Sequence, residues 1–174
     1  MRIARRSILI MGFLLKVASY PSYAEDLANL EFYQLSETSD KLVVSVEKNT
    51  HIDSTVITNW DTLYIDWWWQ NNSNVTIPSS YLVTVSVDDN APIVMSNIPS
   101  GMAPEGKYNR LDQAIPPLTP GTHTIKIVLD SNNSVTESNE EDNEYSKTIT
   151  VIEGESGLPN LTLAQPAGWS NKIV

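Results

Sequence analysis

Cysteine is absent from this chain of 174 residues, so no disulfide can staple it and its core and strand ladders must hold it together. Histidine occurs only twice, and two imidazoles without a thiolate do not make a structural zinc site. A Gly-x-Ser-x-Gly elbow, a His-Glu-x-x-His helix and a phosphate-cradling glycine loop are all missing. Carboxylate pairs are plentiful, but in solvated loops they lack the burial that separates pKa values for acid and base work. Catalysis needs a nucleophile, a base and a pocket together, and the residues read as non-catalytic. Of the two histidines, His51 falls in the Asn49 to Asp53 loop, and His123, between Thr122 and Thr124, reads as a hydrogen-bonded structural residue. Helical periodicity is also lacking beyond the first two dozen residues.

Those first residues have a purpose of their own. Arg2, Arg5 and Arg6 precede an apolar run from Ile8 to Leu15, and Ser22-Tyr23-Ala24 offers small residues where a signal peptidase reads. Residues 1–24 are thus expected to be a helical signal peptide cleaved after Ala24. Arg5-Arg6-Ser7-Ile8-Leu9 also resembles a twin-arginine signal, but with no cofactor motif downstream general secretion is the expected route. The apolar run is too short to span a bilayer, so no transmembrane segment remains after cleavage. The expected location is secreted or at the cell surface.

Basic residues are scarce. There are 11 Lys and Arg against 21 Asp and Glu, a formal charge of -10, and losing Arg2, Arg5, Arg6 and Lys16 with the signal takes it to -14. Such a surface repels phosphates, so nucleic acid is excluded as a partner and cations are the natural counterpart.

What is present is alternation. Ile125, Ile127 and Leu129 alternate with Thr124, Lys126 and Val128, and Ile149 and Val151 repeat the pattern after a polar stretch from Ser131 to Glu144. Period two is the mark of a half-buried strand, so the two runs read as an antiparallel pair joined by a long acidic loop. Upstream, Leu27 to Tyr33, Lys41 to Glu47, Thr62 to Gln70 and Tyr81 to Asp88 are further strand candidates. On the third, Leu63, Ile65, Trp67 and Trp69 share a face opposite Tyr64, Asp66 and Trp68. Short runs at Ile93 to Ser96 and Tyr108 to Ala114 lie among prolines and glycines. The fold class is all-β: an antiparallel sandwich of about seven to eight strands, spanning residues 25–153.

Asn29 to Val43 aligns without a gap on Asn160 to Val174. Asn29, Leu30, Gln34, Ser39 and Lys41 recur as Asn160, Leu161, Gln165, Ser170 and Lys172. With a Gly/Ser linker at 154–158, residues 159–174 read as the start of a second, truncated repeat, and the chain as the N-terminal part of a tandem array. Neighbouring repeats are then its first partners.

Two groups of residues are candidate sites. Asp130, Asn132, Asn133, Glu137, Glu140, Asp142 and Asn143 concentrate hard oxygen ligands in one loop, the set Ca²⁺ takes at six- to eightfold coordination, though not with the spacing of an EF-hand. The competing reading has the same side chains capping the backbone of a long turn. Calcium is the one cofactor the sequence offers. Trp67 and Trp69 point inward and fill the space between sheets, whereas Trp68, beside Tyr64 and Asp66, points the other way. An exposed indole next to a carboxylate can stack on a sugar ring, which would make these three residues a glycan-binding face. The competing reading takes Trp68 as an isolated surface apolar residue, which needs no explanation.

The order Gly121-x-His123 leading to Asp130, then Val135-x-Glu137-x-x-Glu140-x-x-Asn143 and a Val/Thr-rich strand, resembles the C-terminal half of a CARDB repeat, the cell-adhesion-related domain found in bacteria. Asn29-Leu30 and Asn160-Leu161 fit the family's start, and Asn71-Asn72 its polar turn after the third strand. The resemblance runs from Leu27 to Val151. It implies an immunoglobulin-like sandwich, tandem repetition and an extracytoplasmic, non-catalytic role as an adhesion, interaction or spacer module with a protein or glycan partner at the cell surface. The alternative is a carbohydrate- or protein-binding accessory domain of a larger secreted enzyme.

Overall fold

Alternating side chains build two sheets, and β3 (Leu63–Asn71) is the axis of the first. The structure, a computed structural model, describes residues 26–155; the expected signal peptide and the start of a second repeat lie outside them. The other strands are β1 (Leu30–Phe32), β2 (Leu42–Ser45), β4 (Tyr81–Val87), β5 (Val94–Ile98), β6 (Lys107–Ile115), β7 (Gly121–Val128) and β8 (Glu144–Val151). β1 and β2 lie end to end along one edge of β3, opposite Trp69 to Asn71 and Tyr64 to Trp67 respectively, and β6 takes the other edge. The second sheet has the order β5-β4-β7-β8, and every strand pairing in both is antiparallel.

The faces are those the period of two dictates. Leu63, Ile65, Trp67 and Trp69 of β3 meet Tyr81, Val83, Val85 and Val87 of β4 and Ile125 and Ile127 of β7 in one buried cluster. Burying each such side chain contributes about 1.5–3 kcal/mol, enough collectively to replace the missing disulfides. Trp67 and Trp69 stack at 6.4 Å between centroids, and the Trp69 Nε1–H donates to Tyr81 Oη at 2.9 Å. β7 and β8 form the expected antiparallel pair with the acidic turn between them. The first strand starts at Leu30 instead of Leu27, because Ala28 makes only an isolated parallel bridge to Glu137. β5 begins one residue later than expected and runs on to Ile98, in register with Tyr81.

Along one seam of the sandwich, Lys147 of β8 reaches across to the first sheet. Its Nζ donates to Leu42 O at 2.8 Å and pairs with Asp53 at 2.6 Å and Asp40 at 3.0 Å. Partial burial works against the Asp40 carboxylate, yet the hydrogen bonds from Tyr145 and Lys147 hold it below the ordinary carboxylate range. At the other seam, between β5 and β6, the Arg110 Nη2–H donates to Ser96 Oγ at 3.0 Å.

The two ends of the domain lie at opposite poles. The chain comes in beside the acidic turn, where Ser138 N–H donates to Ala28 O at 2.9 Å. It leaves past the far end of β8, where Ile152 bridges Thr58 and the Trp60 Nε1–H donates to Gly154 O at 3.2 Å. β8 has eight residues, which separates these poles by about 25 Å.

Candidate functional site

The acidic turn is built from the backbone outward. Asp130 and Asn133 adopt positive φ, 44° and 49°, a conformation that Asp and Asn tolerate because their short side chains bond locally. Asp130 Oδ1 accepts the Ser134 N–H at 2.9 Å and its Oδ2 the Val135 N–H at 2.8 Å. Glu137, buried, accepts the Leu30 N–H through Oε2 and the Asn143 Nδ2–H through Oε1, the latter at 2.9 Å. Glu140 Oε1 accepts the Glu137 N–H at 3.0 Å, and Asp142 Oδ2 accepts from Asn29 Nδ2 at 3.1 Å. Asn132 Oδ1 accepts the Leu82 N–H at 2.8 Å.

Four of the seven candidate calcium ligands, Asp130, Asn132, Glu137 and Glu140, therefore cap backbone N–H groups, and Glu137 and Asp142 tie the turn to the start of the first strand. Among the described residues no three His, Asp or Glu side chains converge as a metal-holding group. Two oxygens remain without a donor: Asp142 Oδ1 and Asn143 Oδ1 are buried and unpartnered. Burial pushes the Glu137 carboxyl up to about 7, against the lowering effect of the Leu30 and Asn143 bonds.

On the outer face of β3 the structure corrects the exposure expected of Trp68. The side chain does lie opposite Trp67 and Trp69, but it is only 2% exposed. His51 covers it edge-on at 5.5 Å. Asp66, 3% exposed, holds that cover: its Oδ2 meets His51 Nδ1 at 3.0 Å, and its Oδ1 accepts the Asp112 N–H at 2.6 Å. Asp112, φ 52°, sits in a bulge of β6 where the register against β3 shifts between Ile65 and Trp67. Asp66 thus satisfies the backbone that the bulge leaves unpaired. Tyr64 is half-buried with Lys48 Nζ 4.9 Å from its ring centroid. Trp68, Tyr64 and Asp66 are neighbours, but the indole has no open face for a sugar.

His123 is a structural residue, as its place in a strand implied. Its Nδ1 meets Asp88 Oδ2 at 2.6 Å and its Nε2 meets Thr119 O at 2.7 Å. The Asp88 bond and the Thr119 carbonyl raise its pKa above the ordinary 6.5.

The burial of Asn71, which the sequence marked only as part of a polar turn, and a cleft between two sheet edges had no signal in the sequence. Asn71, fully buried at the end of β3, donates to Val75 O at 2.7 Å and Ala103 O at 3.0 Å, and organises the turn that follows. Between the edges of β5 and β6 there is a cleft of about 440 Å³ floored by Trp67 and Trp69; alternation alone does not show that two sheet edges stand apart.

Fold and site together define a two-sheet antiparallel module whose histidines and most of whose turn carboxylates serve the architecture. The sequence model of the CARDB family matches residues 35–147, and the chain belongs to that family, a non-catalytic, cell-surface-associated β-sandwich group. The crystal structure of the CARDB domain of the PF1109 protein from Pyrococcus furiosus, in complex with di-metal ions, is similar at TM-score 0.54 and 16% identity, covering 74% of this chain and 97% of that one. The solution structure of the same domain gives TM-score 0.52 and 16% identity over 73% and 97%. At this identity the likeness speaks for the fold alone. No curated protein matches the chain.

Proposed function

We propose that this chain provides a non-catalytic interaction and spacer module of a secreted or surface-held protein, arranged in series with further repeats. The observation that carries the reading is the placement of its ends at opposite poles, which lets modules follow one another in line. The pole where the chain leaves also presents apolar surface, with Trp60 66% and Ile152 49% exposed, next to where a following module would pack. The imidazoles support the reading as well, since each is engaged with a carboxylate, His51 with Asp66 and His123 with Asp88. Protease shaving of intact cells that make the protein tests it. Trypsin should remove the module from the cell surface or find it in the medium, with an N-terminus at Glu25. Retention inside the cell with Met1 intact would overturn the reading.

A second reading, a Ca²⁺ ion at the acidic turn, is favoured by the two buried oxygens of Asp142 and Asn143 that lack donors. A cation there would partner both and ease the charge on the nearby Glu137. The crystal structure of the PF1109 domain is in complex with di-metal ions, which supports testing a cation here.

A further inference from the structure

We propose that the cleft between β5 and β6 binds a saccharide bearing a carboxylate, one or two uronic-acid residues in size. Its volume, about 440 Å³, falls in the range of small-ligand sites, roughly 300–1,000 Å³. Its lining includes Lys107, Arg110, Asn97 and Asn109, and no Asp or Glu. That is notable in a chain with 21 acidic and 11 basic residues. Arg110, opposite the inward-facing Trp67, forms no ion pair among the described residues and bonds only Ser96, whereas Lys107, opposite Gln70, lies over the Tyr33 ring on the outer face of the sheet. The cleft therefore holds one cation, Arg110, and no carboxylate on an otherwise acidic molecule, and charge complementarity selects an anion.

The floor adds a second demand. Trp67 Nε1–H is buried with no acceptor in the protein, although the neighbouring Trp69 has Tyr81 Oη. A buried donor without a partner is uncommon, and a ligand oxygen is a partner it can take. At the rim Tyr108 is 38% exposed, edge-on to Trp69 at 5.8 Å. A pyranose carrying a carboxylate meets all of this: hydroxyls for Ser96 and the Trp67 N–H, a planar anion for the Arg110 fork, and a C–H face for the Tyr108 ring.

The edges argue against an extended peptide as occupant. Adding a strand needs a continuous free edge. β6 is interrupted by the bulge at Asp112, and β5 has five residues between Pro92 and Pro99. Bulges, prolines and short length are devices that blunt a sheet edge. A compact ligand suits a seam closed off in this way.

The inference rests on the reading that the module holds a partner, and its test is independent of that one. Titration calorimetry of the whole chain with trigalacturonate and triglucuronate, beside methyl-esterified trigalacturonate and a hexaglutamate peptide, decides it, with the Trp67 indole N–H followed by NMR. One acid saccharide should bind saturably and move the Trp67 signal, and Arg110→Gln should weaken binding about tenfold or more. The methyl ester should bind correspondingly less well. The position is exposed, so the variant keeps the fold. No saturable binding of either saccharide, undiminished binding by the Arg110 variant, or a Trp67 response to hexaglutamate alone overturns the site. The surface-module reading would survive any of these, since shaving decides it.

Discussion

Glu137 Oε2 accepts the backbone N–H of Leu30, so the last turn of the domain clasps its first strand across 107 positions of sequence. The other oxygen of that carboxyl holds Asn143, and burial leaves the group titrating at about 7. One side chain therefore joins the start of the fold, the acidic turn and a response to pH.

That response has a definite sign. The Glu137 pKa is raised from an ordinary 4.5, so the folded state holds its proton more tightly than the unfolded one. Stability from this group is full below about pH 4.5 and declines as pH rises toward 7, with a slope of less than about one proton. Melting curves from pH 4.5 to 8 should show the decline. Glu137→Gln should flatten it, since its carbonyl still accepts from Leu30 while Asn143 turns its unpartnered Oδ1 to the new amide. Glu137→Ala should cost about 1–3 kcal/mol by leaving Leu30 N–H buried and unpaired.

His123 acts in the same direction at higher pH. Asp88 and the Thr119 carbonyl raise its pKa above 6.5, so its stabilisation is present below 6.5 and lost as pH climbs through the raised value. NMR titration of the ring should place the midpoint above 6.5, and Asp88→Asn should bring it down. An unchanged midpoint in that variant would show that the aspartate is not the cause.

Trp68→Ala tests the covered outer face. Truncating so buried an indole should cost about 3 kcal/mol in denaturant unfolding. His51→Ala, which uncovers it, should redden the tryptophan fluorescence at a smaller cost in stability. Full stability of Trp68→Ala would mean the ring is solvated after all.

The contrast among the three tryptophans shows how much the sequence could tell. Trp67 and Trp69 were legible because period two places them with Leu63 and Ile65 against the other sheet, and the same rule gave the strands and the sandwich. Trp68 was legible only as to its side. What covers it is His51, brought over by Asp66, which in turn answers a bulge in β6; none of these contacts is local, and no periodicity encodes them. The acidic turn was similar. Its oxygen-rich composition stood out, but which of those oxygens would be taken up by N–H donors depended on Leu30 and Asn29, more than a hundred residues away. Buried Asn71 and the β5 and β6 seam depend on packing in the same way.

Calcium at millimolar concentration should raise the melting temperature, and more at pH 8 than at pH 5, because a protonated Glu137 competes with the cation. Asp142→Asn should reduce the shift. A melting temperature indifferent to calcium at both pH values would remove the cation from the acidic turn.

The opposed ends of the domain also determine how it carries load. Tension applied along a row of such modules would pull β1 out past the acidic turn and β8 out past Thr58, in each case along the strand's own axis. Ladder bonds loaded in that direction must slip together instead of opening one after another, so the domain should resist stretching more than its size and its lack of covalent crosslinks would imply.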